Sequence, residues 1–392
     1  MHGSTAALDA VHHAVVAAVA AAFVALAAAL LLLLWRRKKR MAGRGPGAPH
    51  GLASSDEAPA AQALPLPVVP LADVERATDG FHSSRVIGQG PHFTVYALAA
   101  ASPGARDQEA QLAAKRMRPH LILGDPGGRR FPPSVRSLPI LPRHPNLAAL
   151  VGLSEGPGER VLLVQRAPAG SRALHALLHD DKHPPLTWRR RAAVAAGAAR
   201  GLAHLHAHGV PHGRVRPCNV LVVAAAVAGG ARAVVCDYGL AGFLGDVVRA
   251  EEEDDVYMFG ALLLEVMTGR RWDGGRLAGW ALPLIRRGGI GVSAEDRQVL
   301  LDARAGKADL QPRLLARMAR VALACVGNSD ARSRPGMAEV SAILDDVDAA
   351  YGRCRDDGVQ PEEDGGEERH SGCLLGPGRS AHKAEMLLRN PV

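Results

Sequence analysis

Aromatic side chains are scarce in this chain: four Trp, four Tyr and six Phe, 4% of 392 residues. No basic stretch is interleaved with rings on which bases could stack. That speaks against a nucleic-acid partner in spite of a formal charge of +8. Much of that charge is one cluster, Arg36-Arg37-Lys38-Lys39-Arg40. Cysteine is sparse as well. Cys218, Cys236, Cys325, Cys354 and Cys373 form no C-x-x-C pair, which argues against a disulfide framework or a zinc site and suits a reducing compartment. No Lys or Arg precedes the one long apolar run, although a cleaved signal peptide would need it. What the chain has in quantity is small apolar side chain: 47% is hydrophobic, mostly alanine, ample for a core.

The apolar run, Ala14 to Trp35, is uncharged and as a helix would measure about 33 Å, against about 30 Å of bilayer hydrocarbon. Its Leu, Val and Phe residues together favour insertion by roughly 3 to 6 kcal/mol. The basic cluster follows the run, so residues 1–13 are expected outside and everything after 36 in the cytosol. We expect a single-pass anchor at 14–35, with too few outer residues for a ligand-binding ectodomain. Residues 36–70 then read as a basic juxtamembrane stretch and a flexible Gly/Pro/Ala/Ser linker.

The chemistry-bearing residues lie further on. His212-Gly213-Arg214-Val215-Arg216-Pro217-Cys218-Asn219-Val220-Leu221 is followed by Cys236-Asp237-Tyr238-Gly239-Leu240-Ala241. Upstream, Gly88-Gln89-Gly90-Pro91-His92-Phe93-Thr94-Val95 precedes Leu112-Ala113-Ala114-Lys115, with Ser102 to Glu109 as the loop between two strands. Their order and spacing resemble the H-R-D-x-K-x-x-N-V-L, D-F-G, G-x-G-x-x-G-x-V and V-A-I-K motifs of protein kinases. The amphipathic helix from Leu71, leading to Ala77-Thr78-Asp79-Gly80-Phe81, is similar to the lead-in of one branch, the plant receptor-like protein kinases of the receptor-like kinase/Pelle type. So are the helix from Trp188 to His206, Asp255-Val256-Tyr257-Met258-Phe259-Gly260, and Ala331 to Met337. The resemblance covers about residues 71–348. It implies an α+β, two-lobed protein-kinase-like fold, with a small β-rich N-lobe at about 82–166, a helical C-lobe at about 167–348 and a disordered tail at 349–392.

It also implies roles. Gly88, Gly90, Val95, Ala113 and Lys115 stand where the family binds ATP, and Asn219 and Asp237 where it holds Mg²⁺. Several positions depart from the pattern. Arg214 occupies the place of the catalytic base, and a guanidinium offers no acceptor. Ser134, in Phe131-Pro132-Pro133-Ser134-Val135, takes the place of the glutamate that pairs with the strand lysine, and the prolines there shorten the helix. Phe93 replaces the third glycine of the phosphate loop, and Pro91 removes one of its N–H donors. The hinge after Val161 to Gln165 is one residue short. Only 17 residues, 238 to 254, separate Asp237 from Asp255, and there is no A-P-E; residues 239–256 contain no Ser, Thr or Tyr. The expectation is a membrane-anchored, signalling pseudokinase at the plasma membrane, acting as a scaffold or regulator. Its partners would be other membrane receptor kinases or co-receptors and cytosolic signalling proteins. Lys115, Asn219 and Asp237 keep ATP and Mg²⁺ binding open, with a weak or atypical serine/threonine kinase as the alternative. In the nucleotide-free state Arg214 is expected to pair with Asp237. His204 and His206 are expected to close a helix, not to bind metal, since an i, i+2 pair does not share a helix face.

Overall fold

The computed structural model describes residues 65–99, 112–122, 131–224, 230–244, 250–287, 294–328 and 330–356. All belong to the second of two compact units, Gln62–Val392. The expected span at 14–35, most of the linker, the loop at 102–109 and the tail beyond 356 lie outside the described residues. Among the described residues no helix is long and apolar enough to cross a membrane.

The two lobes are as the motifs imply. Helix α1 (Leu71–Ala77) leads into a five-stranded antiparallel sheet of β1 (Val86–Gln89), β2 (Phe93–Ala97), β3 (Leu112–Met117), β4 (Leu150–Gly156) and β5 (Glu159–Gln165), in the spatial order β1-β2-β3-β5-β4. Between β3 and β4 the described residues form two single-turn helices, α2 (Pro119–Ile122) and α3 (Pro133–Arg136). Pro132 and Pro133 sit at the start of α3, where a missing N–H costs nothing, but the helix has only four residues.

Residues 65–70 correct the sequence reading, which took the flexible linker up to Pro70. They run beside β4, the sheet's edge strand. Val68 pairs with Leu153 in parallel, the Val69 N–H donates to the Leu153 carbonyl (2.7 Å) and the Leu153 N–H to the Pro67 carbonyl (2.9 Å). Leu66 is buried and Pro65 bridges to Pro139. An edge strand leaves backbone groups open, and proline is tolerated there because its carbonyl still accepts.

The C-lobe begins with β6 (Arg172–Ala173) and α4 (Leu174–His179), then α5 (Trp188–Ala207) and the hairpin of β7 (Val220–Ala224) and β8 (Ala231–Val235). Helix α5 explains the alanine. Ala192, Ala195, Ala196, Ala198 and Ala199 are buried, and small side chains let the helix lie close to β8 and the Asn146 turn. A Cβ at Gly201 would stand 2.6 Å from the Asn146 carbonyl oxygen. His204 and His206 do sit in the last turn of α5 and face different ways: His204 stacks on His144, and His206 meets Asp255. The lobe is completed by α6 (Glu252–Thr268), α7 (Arg276–Arg287), α8 (Ala294–Leu300), α9 (Pro312–Val326) and α10 (Met337–Asp356). Four acidic residues in the first turn of α6 suit the positive end of its dipole. The last helix runs on to Asp356 and buries Tyr351, so residues 349–356 belong to the domain and not to the tail in which the sequence reading placed them.

Candidate functional site

The β7–β8 hairpin carries the site. Val220 pairs with Val235, and one step beyond the strands the Cys236 N–H donates to the Asn219 carbonyl (2.9 Å), which sets Asn219 beside the Cys236-Asp237 turn. The loop before β7 is held by a single buried carboxylate. Asp255, at the start of α6, accepts from the backbone N–H of His212 (2.6 Å) and of Gly213 (2.7 Å) and from His206 Nε2 (3.0 Å). His212 is fully buried. Its Nε2 donates to the Cys236 carbonyl (3.0 Å) and its Nδ1 accepts from the Arg214 N–H (3.1 Å), which fixes a neutral tautomer. Burial accordingly lowers its pKa.

Arg214 is buried at the position of the base, 7% exposed. Asn219 turns its Nδ2 to the Arg214 carbonyl (2.8 Å), which leaves Oδ1 as the atom able to meet a metal. Asp237 adopts a left-handed backbone (φ 65°), and its carboxylate forms an ion pair with the Lys115 ammonium. Lys115 is thus a cation set on Asp237, a partner that the sequence alone does not suggest. Burial pulls the lysine's pKa down, but Asp237 more than offsets it and holds the ammonium above its usual range; the positive charge of Arg214 acts the other way. Ser134 is exposed on α3, and Val135 is the residue that helix buries. The nearby Glu155 is engaged with the Phe131 N–H and with both Nε and a terminal nitrogen of Arg136. Among the described residues no cluster of three or more His, Cys, Asp or Glu could hold a metal.

At the phosphate end, Gly88 pairs with Val95 across the β1–β2 hairpin, and Val95 stands opposite Lys115 on β3. Ala113, two residues before Lys115 and on its face of the sheet, is buried. The hairpin tip is closed on itself. The Gly90 N–H donates to the Phe93 carbonyl (2.8 Å), Pro91 has no N–H, and Arg118 donates to the Gly90 and His92 carbonyls (2.8 and 2.9 Å). Phe93 is buried, its ring centroid 6.0 Å from Lys115 Nζ. A nucleotide therefore meets a partial fit. The side chains expected to hold its metal, Asn219 and Asp237, are brought together, whereas the cradle for its phosphates is committed elsewhere.

The segment after Asp237 folds inward. Tyr238 is buried, and its hydroxyl accepts the Leu150 N–H at the start of β4 (2.9 Å). The chain then makes one turn, Leu244 N–H to Leu240 carbonyl (2.9 Å), which puts Phe243 against Phe131 (5.2 Å between centroids) and under the Arg160 guanidinium. Gly213 has φ 73°, and a Cβ there would stand 2.7 Å from that of Ala250 and 2.8 Å from that of Ala241. The segment passes through the space a side chain at 213 would need. Arg334, with no A-P-E glutamate to meet, donates to the Glu253 carbonyl (2.9 Å) and lies over the Tyr257 ring. These contacts of Phe93, Phe243 and Gly213 escaped sequence reasoning. Only Phe93, a phenylalanine in place of a glycine, carried a signal in the sequence.

Comparison with known proteins agrees with this geometry. A family described as protein tyrosine and serine/threonine kinase matches residues 81–253. The chain is 30% identical to the proline-rich receptor-like protein kinase PERK8 of Arabidopsis thaliana over 71% of its own length and 43% of that protein's. It therefore spans less than half of PERK8. To the salt tolerance receptor-like cytoplasmic kinase 1 of Oryza sativa subsp. japonica it is 31% identical, over 71% of this chain and 80% of that one. In fold it is similar to the pseudokinase DRIK1 (drought responsive inactive kinase 1), solved in complex with ENMD-2076, with a TM-score of 0.52 at 20% identity over 72% of this chain and 97% of that one.

Proposed function

Because the chain belongs to the plant receptor-like protein kinase family, we propose that it works as a pseudokinase, a signalling scaffold or regulator that transfers little or no phosphate. The observation that carries this is Arg214, buried where the substrate hydroxyl would need an acceptor for its proton. A positioned general base is worth typically about 10²- to 10⁴-fold in rate, and a guanidinium cannot supply it. The lysine reinforces the reading, since its ion partner is Asp237 and not a helix glutamate. The inward turn at Leu240–Leu244 adds to it, since among the described residues 238–244 none forms an extended platform on which a peptide could lie.

We further propose that residues 14–35 anchor the chain in the plasma membrane with the kinase-like domain in the cytosol, and that its partners are other receptor kinases or co-receptors and cytosolic signalling proteins. The uncharged run and the basic cluster behind it support the anchor. Resistance of the full chain to alkaline extraction from membranes, lost on deletion of residues 1–35, would test it.

The competing reading, a weak serine/threonine kinase with a displaced base, draws on the survival of Lys115, Asn219 and Asp237. Transfer of labelled phosphate from Mg-ATP by the full chain, beside an Asp237→Asn control, separates the two. No transfer above the control is expected. Transfer that the control abolishes would make the protein an enzyme.

A further inference from the structure

We infer that Phe93 is an intramolecular plug whose ring fills the part of the cleft where a nucleoside polyphosphate would lie against Lys115, so that removing the ring opens a latent nucleotide site. The inference deepens the pseudokinase reading and rests on it, in taking the cleft to be that of a kinase which has lost its chemistry.

Sheet geometry places the ring. Phe93 stands opposite Met117 and Val95 opposite Lys115, so these four side chains share one face of the sheet. On that face a glycine at 93 would leave the space over Lys115 open to solvent or to phosphate. Phenylalanine closes it: the residue is 6% exposed, the Lys115 side chain 14%, and the ring lies within range of a cation–π contact with the ammonium. Phe93 also belongs to the same hydrophobic cluster as Met117, the residue opposite it on β3.

The hairpin is not poised to lift. Arg118, just past the end of β3, donates to two carbonyls of the tip, and the Gly90 N–H that could turn to a phosphate is spent on the Phe93 carbonyl. Beneath the ring the lysine's charge is already met by Asp237. A nucleotide entering this cleft must displace a buried phenyl ring, break an ion pair and reopen a pinned turn. The chain's own phenyl ring and carboxylate thus occupy the places of the phosphates.

The test uses the full chain in detergent or nanodiscs and measures binding of ATP, with and without Mg²⁺, by calorimetry. The wild-type chain is expected to show no saturable binding up to millimolar nucleotide. Phe93→Gly and Phe93→Ala are expected to bind at least about tenfold more tightly, the opposition of the buried ring having been removed. Adding Lys115→Met should abolish the gain, which ties it to the phosphate end. Phe93→Leu, which refills the space, should stay with wild type. Micromolar binding by the wild type overturns the plug, even should the glycine variant fail to fold; so does a gain that survives Lys115→Met. A wild-type chain that binds nucleotide but transfers no phosphate sinks the plug alone and leaves the pseudokinase reading intact. One that transfers phosphate sinks both.

Discussion

Replacing Gly213 by alanine should be among the most damaging single-methyl changes in the protein. The residue sits at φ 73°, in the left-handed region, where an L side chain costs about 1–2 kcal/mol. The new methyl would also stand 2.7 and 2.8 Å from the Cβ atoms of Ala250 and Ala241, whereas carbon atoms settle at roughly 3.5–4.0 Å. Ala241 is buried, and its segment is held by the Gly239 N–H to the His212 carbonyl (3.0 Å), so relief by movement is limited. Overpacking of this kind costs about 1–3 kcal/mol. The sum, about 2–5 kcal/mol, corresponds to a fall in Tm of about 3–8 °C for a domain of this size. Thermal and urea unfolding followed by circular dichroism would measure it. The double variant Gly213→Ala/Ala250→Gly removes one of the two overlaps but not the backbone strain, and should recover part of the loss. An unchanged Tm for Gly213→Ala, or a double variant no better than the single, would refute the claim that the segment after Asp237 is seated on Gly213.

Tyr238→Phe should cost about 1–3 kcal/mol, because the Leu150 N–H is left buried without its acceptor; equal urea midpoints would contradict this. Deleting residues 1–70 should lower stability relative to deleting 1–61, by roughly 2–4 kcal/mol for two backbone hydrogen bonds and the Leu66 side chain, read as a shift in the unfolding midpoint. Acid should weaken the fold. Burial depresses the pKa of His212, so the unfolded chain takes up that proton first, and stability falls as pH drops below about 6.5 by up to about 1.4 kcal/mol per pH unit. His144 and His204 are depressed by burial in the same direction and steepen the slope, so a flat profile between about pH 7.5 and 5.5 would count against all three. Arg214→Asp should leave phosphate transfer at background, because the Lys115 ion pair and the closed hairpin tip stay as they are; a gain in labelled product would show that the base alone was missing.

Local signals made the fold legible. The order and spacing of the motifs, through the resemblance they carry, implied both lobes, and the proline run foretold the stunted α3. Non-local contacts were not legible. Leu66 and its neighbours look like linker because their prolines and leucines lack periodicity, and only the open edge of β4 turns them into a strand. The continuation of α10 to Asp356 depends on the Tyr351 side chain finding the core. At the site, the sequence identifies Phe93 as a substitution but cannot say that it fills a space, and the need for a glycine at 213 shows only in the contacts around it. The partner of Asp237 was missed for a similar reason. Charge alone does not tell that the sheet will carry Lys115 to it.

The grip of Asp255 on the loop bears on how such a protein arises. Two of the three groups it holds are main-chain N–H donors, the same whatever side chains residues 212 and 213 carry. The path of the loop is therefore insured against change at 214, and a lineage can exchange an acid there for an arginine without passing through an unfolded intermediate. The grip of Asp255 acts through main-chain groups and His206, none of which depends on the side chain at 214. Once a binding role suffices, drift at that position is expected, and the reverse step toward catalysis would have to restore a glutamate, a glycine and a longer segment together.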